Sequence, residues 1–166
     1  MIKRVRRHVL LAAASLVVIA CAACSTGYGP TSSGNQFSCL VGGTAWYPST
    51  LSSGSVDVVV NDYHDALQII AYRYDSYNAE TSIELDLNAP STGHFELGSA
   101  NRGYFTNSAM QSQDALFSTN GAFIGSVDID RYDPNLREVS GSFSFDAEND
   151  VGNYVSIASG TFNLTY

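Results

Sequence analysis

Val139-Ser-Gly-Ser-Phe143-Ser-Phe145, an acidic stretch over residues 146–152, and Tyr154-Val-Ser-Ile157-Ala-Ser-Gly160-Thr-Phe162-Asn-Leu164-Thr-Tyr166 close the chain. In the first run Val139, Phe143 and Phe145 share one face of an extended strand, and Ser140, Ser142 and Ser144 the other. Alternation with period two marks an antiparallel strand buried on one side only. The returning run alternates too, but its phase slips: Val155 and Ile157 are odd, whereas Phe162, Leu164 and Tyr166 are even. One extra residue near Ser159-Gly160 restores a common face, as a β-bulge does. The spacing therefore predicts a hairpin pairing 137–145 with 154–166, with a glycine-type bulge giving Gly160 a positive φ. Such a hairpin needs a sheet to pack against.

Working outward, the rest of the chain supplies that sheet. Residues 81–88 alternate most cleanly, with Ile83, Leu85 and Leu87 inward and Ser82, Glu84 and Asp86 outward; at helical spacing the three apolar residues would scatter round the axis. Residues 67–72 are nearly continuously apolar and read as a central strand, joined to 56–61 through Asp62-Tyr-His-Asp65. Further strands are expected at 36–41, 44–47, 92–98, 102–106, 115–119 and 123–132. Residues 72–78 read as a polar, aromatic turn, and 107–114 as a loop or helical turn. The fold class is all-β: a single antiparallel β-sandwich or partly open β-barrel of about nine or ten strands. Its expected core comprises Phe37, Val41, Trp46, Leu67, Ile69, Ile83, Leu85, Leu87, Val127, Ile129, Phe143, Phe145, Ile157, Phe162 and Leu164.

The N-terminus carries an address. Lys3, Arg4, Arg6 and Arg7 precede a short apolar run, 9–20, that ends at Cys21. The run falls well short of the roughly 20 residues a bilayer span requires, so it reads as a secretory signal peptide. Val18-Ile19-Ala20-Cys21 resembles a bacterial lipobox, in which the cysteine is acylated and becomes the new N-terminus. Cys24, after Ala22-Ala23, is a rival, and ordinary cleavage is the third outcome. The organisation expected is a signal peptide over 1–20, a flexible Gly/Ser/Thr tether over 21–35 and a β-domain over 36–166. The domain would stand in water on a membrane-anchored tail. Ala22 after the cysteine, by resemblance to lipoprotein sorting, favours the outer membrane.

All sixteen acidic residues lie beyond the signal, and only Arg73, Arg102, Arg131 and Arg137 remain of the eight basic ones, a formal charge of 4 − 16 = −12 with no lysine. Nucleic acid is excluded as a partner, because its binding depends on neutralising phosphates with Lys and Arg. Cys39 alternates with Phe37 and Val41 and should point into the core as a small apolar residue. A Cys24–Cys39 disulfide is the alternative in an oxidising compartment.

Several short motifs add up to a resemblance. Phe37-Ser-Cys-Leu-Val41-Gly-Gly-Thr-Ala-Trp46 resembles the opening F-x-A-x-(V/I)-x-G-x-x-W of a group of uncharacterised bacterial lipoprotein domains, with Cys39 in place of alanine. Thr92-Gly-His-Phe-Glu-Leu97 resembles their G-x-Y-x-L element. Val127-Asp-Ile129, Val139-Ser-Gly-Ser-Phe-Ser-Phe145 and Gly160-Thr-Phe162 are similar to their closing elements. The match spans about 37–164. It implies a lipid-anchored β-domain and carries no assigned chemistry.

The candidate chemistry is thin. The mature chain holds two histidines, His64 in a turn and His94 in a short strand expected at the surface. No G-x-S-x-G elbow, H-E-x-x-H or phosphate-cradling loop occurs. Asp146, Glu148 and Asp150 have the 1, 3, 5 spacing of an EF-hand, but Val151 stands where its glycine belongs and Ile157 where its glutamate does. Asp128, Asp130 and Tyr132 read as one outward strand face. No catalytic residue, metal site or cofactor is therefore expected. Tyr72, Tyr74 and Tyr77, around Arg73 and Asp75, are the residues expected to face a ligand such as a glycan or a peptide. The reading is a lipid-anchored, non-catalytic binding module of the envelope with a glycan or protein partner. A structural or accessory envelope protein is the alternative, and a hydrolase the remote one.

Overall fold

A computed structural model of the protein describes residues 34–63, 65–112 and 114–166. The expected signal segment, Cys21, Cys24, most of the expected tether and His64 lie outside the described residues. Eleven strands follow in chain order: β1 (Gln36–Val41), β2 (Thr44–Trp46), β3 (Val58–Asp62), β4 (Ala66–Tyr74), β5 (Glu80–Asn88), β6 (Gly93–Leu97), β7 (Arg102–Asn107), β8 (Leu116–Ser118), β9 (Gly125–Asp133), β10 (Glu138–Glu148) and β11 (Tyr154–Thr165). They form one antiparallel sheet ordered β2-β1-β11-β10-β8-β7-β5-β4-β3, with β9 also paired to β10 and β6 to β9. β10 is the branch point. Its first eight residues take β9, and Glu148 near its end takes β8. The all-β expectation holds, as a curled half-barrel of eleven strands.

Two local expectations are corrected. Residues 72–74 are strand and not turn, because β4 stays paired with β5 as far as Tyr74 opposite Glu80. The turn proper is held by Asp75, whose Oδ1 accepts from the amides of Tyr77 and Ala79. β4 is also not central: it lies between β5 and the edge strand β3. Its apolar run reflects one buried face, Leu67, Ile69 and Ala71, plus an outward Ile70 that is only half-buried. Asn107 ends β7, and residues 108–109 turn away from it, ordered by Asn107 Oδ1 accepting from the Ala109 amide.

The core matches the alternation. Of the fifteen residues expected inside, fourteen are buried; Val41, at the end of β1, is half-covered. Ala71, Leu97, Phe105, Phe117, Val139 and Ala147 join them. At the centre stands Phe143, whose ring lies 5.2 Å from Phe37, 6.4 Å from Phe145 and 6.2 Å from Phe162, between centroids. Trp46 closes this end edge-on to Phe37 and donates its indole N–H to Thr81 Oγ1 at 3.0 Å, so its polar atom is satisfied on burial.

The register explains why both strands of the closing hairpin read Gly-x-Phe. Gly141 faces Phe162, and Phe143 faces Gly160. A Cβ built on Gly160 would lie 2.5 Å from the Phe143 ring, and one on Gly141 would lie 2.9 Å from Phe162. Each phenyl covers the glycine of the opposite strand, a cross-strand pairing that fills the space glycine leaves and lets the sheet coil tightly. The motif is thus a packing code.

The β11 bulge is present, shifted from its expected form. Phe143 pairs with Gly160 and Phe145 with Ile157, which leaves Ala158-Ser159 opposite Ser144. The same extra residue appears against β1, between Ser38 and Leu40. The residue with positive φ is Ser159 (51°), not Gly160; Gly160 is required by the Phe143 ring. A second bulge lies in β9, where Asp130 is the extra residue between the pairs Ser140–Arg131 and Gly141–Ile129. It overturns the shared face of Asp128, Asp130 and Tyr132. Beyond the bulge the parity inverts, so Arg131 faces out and Tyr132 turns in against the core.

That inversion closes the half-barrel. Asp62, on the far edge strand, accepts hydrogen bonds at Oδ2 from Tyr132 Oη (2.9 Å) and Tyr166 Oη (2.7 Å), while Arg137 stacks 5.4 Å from the Tyr166 ring. Burial, the hydrogen bond to Asp62 and its charge push the Tyr132 phenol up to about 12, and Tyr166 shifts the same way for the same reasons. A phenol whose folded pKa exceeds its unfolded value of about 10 stabilises the fold fully below pH 10 and loses that contribution as pH rises through 12. Urea melts should therefore show a midpoint that falls between pH 10 and 12, and Asp62→Ala should lessen this dependence, leaving the part due to burial, while destabilising the domain at pH 8 by about 1–3 kcal/mol.

Candidate binding surface

Strand alternation gives the sheet an outer face, and register sorts its side chains into rows. On β4 the outward residues are Gln68, Ile70, Tyr72 and Tyr74. Opposite them on β5 stand Asp86, Glu84, Ser82 and Glu80 in that order. β7 continues the rows with Arg102, Tyr104 and Thr106. One row crosses seven strands: Val59, Ile70, Glu84, Tyr104, Ser118, Glu148 and Tyr154. The sheet thus brings tyrosines and carboxylates from distant segments onto one outer surface, which no single stretch of sequence displays.

The expected ligand-facing aromatics are brought together only in part. Tyr72 and Tyr74 stand two apart on the outer face of β4, Tyr72 half-buried and Tyr74 44% exposed. Tyr77 sits at the hairpin tip, 89% exposed. Tyr104 extends the surface on β7, and sequence reasoning missed it. Its signal lies in the pairing of β5 with β7, which local alternation does not reveal. A polar ladder borders the tyrosines: Asn61 Nδ2 donates to Gln68 Oε1 at 2.8 Å, and Gln68 Nε2 donates to Glu84 Oε1 at 2.7 Å. Burial, and then the Asp86 charge, raise the Glu84 carboxyl above its ordinary range, against the opposing hydrogen bond from Gln68. Partial burial raises the Tyr72 phenol, helped by Glu80, Glu84 and Asp57. Tyr72 is therefore a neutral hydroxyl donor at physiological pH.

The other candidates take structural places. His94, on β6, is exposed and lies 2.7 Å from Asp128 Oδ1 through its Nδ1. Register puts Ser142 on the other side of Asp128. Asp128 then sits between the histidine and the serine, whereas a hydrolytic triad needs the imidazole in the middle. The acidic hairpin is organised by Asn149, whose Oδ1 accepts from the Asn153 amide and whose Nδ2 donates to Asp114 O. Asp146 and Glu148 lie within β10. Among the described residues, no group of three or more His, Cys, Asp and Glu is placed to hold a metal.

Cys39 is buried with a free thiol, and desolvation pushes its pKa up to about 12. The thiolate is the reactive form, so Cys39 in the folded domain should resist thiol reagents at pH 8. Labelling at Cys39, read from its own peptide, should appear only with the urea transition, and full labelling of Cys39 in the folded protein would place it elsewhere.

The class is thus an all-β half-barrel whose closing hairpin is locked by reciprocal Gly–Phe pairs, with an outward face of tyrosines and carboxylates. The chain belongs to a family described as a domain of unknown function (DUF6252), which matches residues 52–164, more than half of the chain. The matched segment includes the closing hairpin and begins beyond the 37–46 motif. No curated protein matches the chain, and no solved structure matches it.

Proposed function

We propose that this protein is a lipid-anchored envelope protein whose β-domain is a non-catalytic binding module, carried on the membrane through Cys21. The anchor rests on the basic start, the short apolar run and Val18-Ile19-Ala20-Cys21. The observation that carries the binding role is the outer face of β4, β5 and β7, where Tyr72, Tyr74 and Tyr104 stand beside Glu80, Glu84 and Asp86. Phenol faces attract cations, and nearby carboxylates strengthen the field. With a formal charge of −12 beyond the signal, the surface suits a protein partner presenting Arg or Lys.

Titration of the full-length protein with an array of Arg- and Lys-containing peptides tests this reading. Binding should weaken with salt, and Tyr74→Ala should lose about tenfold in affinity, in line with the loss of an interface aromatic. Binding that ignores both salt and Tyr74 would contradict it. No binding by any peptide would favour the structural or accessory role instead.

A further inference from the structure

A second surface, separate from the tyrosines, is built on the outer side of β9, β10 and β11. It holds a cleft of about 270 Å³ lined by Gly34, Arg131, Glu138, Ser140, Asn163 and Thr165, together with Val139, whose side chain is buried on the other face. Two register rows form it: Arg131, Ser140 and Asn163 in one, Glu138 and Thr165 in the next. The β9 bulge makes the cleft what it is. Without the extra residue Asp130, Arg131 would share the inward face of Val127 and Ile129; with it, the guanidinium reaches the outer face and pairs with Glu138. Bulges re-aim side chains in this way beside functional sites.

Part of the lining is unspent among the described residues. Glu138 Oε2 is shielded from solvent and meets Arg131 as an ion pair without an aligned hydrogen bond. The side chains of Ser140, Asn163 and Thr165 make no hydrogen bond to another described residue. The cleft therefore offers two hydroxyls, an amide, a guanidinium and a carboxylate, donors and acceptors interleaved. An anion is disfavoured because Glu138 already neutralises Arg131 in a strongly acidic domain. A cation is disfavoured by Arg131, and an apolar group by the polar walls. What remains is a neutral molecule whose every group both donates and accepts. The geometry points to a binding site for a neutral saccharide ring, one sugar unit in size, since the cleft lies just below the usual range of small-molecule pockets. Beside it, Asn35 Oδ1 accepts from the Thr165 amide.

Amide chemical-shift titration of the full-length protein, with N-acetylglucosamine, glucose and the chitin disaccharide as probes, tests the assignment. At least one sugar should shift the amides of Arg131, Ser140 and Asn163, and leave those of Tyr72 and Tyr74 unmoved. Asn163→Ala and Arg131→Gln, both at exposed positions, should each weaken binding about tenfold, Asn163→Ala with an unchanged melting temperature and Arg131→Gln with a lowered one, because it leaves the Glu138 carboxylate uncompensated. A response to the disaccharide alone assigns the site to a glycan chain end, and one to the monosaccharides alone to free sugar. No shift with any sugar, shifts elsewhere, or unaltered affinity in both variants would overturn the site. None of these outcomes bears on the peptide reading of the tyrosine face.

Discussion

Phe143→Ala is expected to cost the domain about 3–5 kcal/mol, a large fraction of the roughly 5–15 kcal/mol that holds an ordinary domain folded. Phe143 is the hub of the aromatic cluster, in ring contact with Phe37, Phe145 and Phe162, and only 4% exposed. Its removal opens a cavity whose walls belong to β1, β10 and β11, strands already fixed by their ladders and unable to collapse inward. It also uncovers Gly160. Urea melts monitored by circular dichroism read the effect, and a loss below about 1 kcal/mol would show that the hairpin does not face the core.

Gly141→Val should cost about 3 kcal/mol or more, at or above the upper end for overpacking. A Cβ there would stand 2.2 Å from the carbonyl oxygen of Asp128 as well as against Phe162. The obstruction is backbone of the paired strand β9, so no side-chain rotation relieves it. Gly160→Val meets only the Phe143 ring and should cost less, at least about 1 kcal/mol. The difference makes a clean cycle: Gly160→Ala should be costly in the native background and nearly free beside Phe143→Ala, where the ring is gone. Equal costs in both backgrounds would mean that the Gly–Phe pairing contributes nothing.

Much of this fold was legible because burial on one face imposes alternation. Ile83, Leu85 and Leu87, or Phe143 and Phe145, declare their strand locally. The phase change between Ile157 and Phe162 likewise announced a bulge. What alternation cannot carry is pairing between distant strands. It left unseen the branch at β10, the meeting of Asp62 with Tyr132 and Tyr166, and the placement of Tyr104 beside the β4 tyrosines. Nor did it locate the positive φ. Glycine at 160 suggested backbone freedom, whereas the structure uses it for space and places the strained φ on Ser159. The β9 bulge was missed because 127–132 alternates well enough as a regular strand; only Tyr132, an aromatic on the wrong parity, hinted otherwise. The binding surfaces were the least visible part, being assembled from rows that cross up to seven strands.

The proposal that this domain works from a lipid anchor is tested most directly by mass spectrometry of the N-terminal peptide of the protein extracted from its native membrane. The expected species begins at Cys21 and carries acyl chains, with residues 1–20 absent. A mature protein that retains residues 1–20, or that carries Cys21 unmodified, would contradict it.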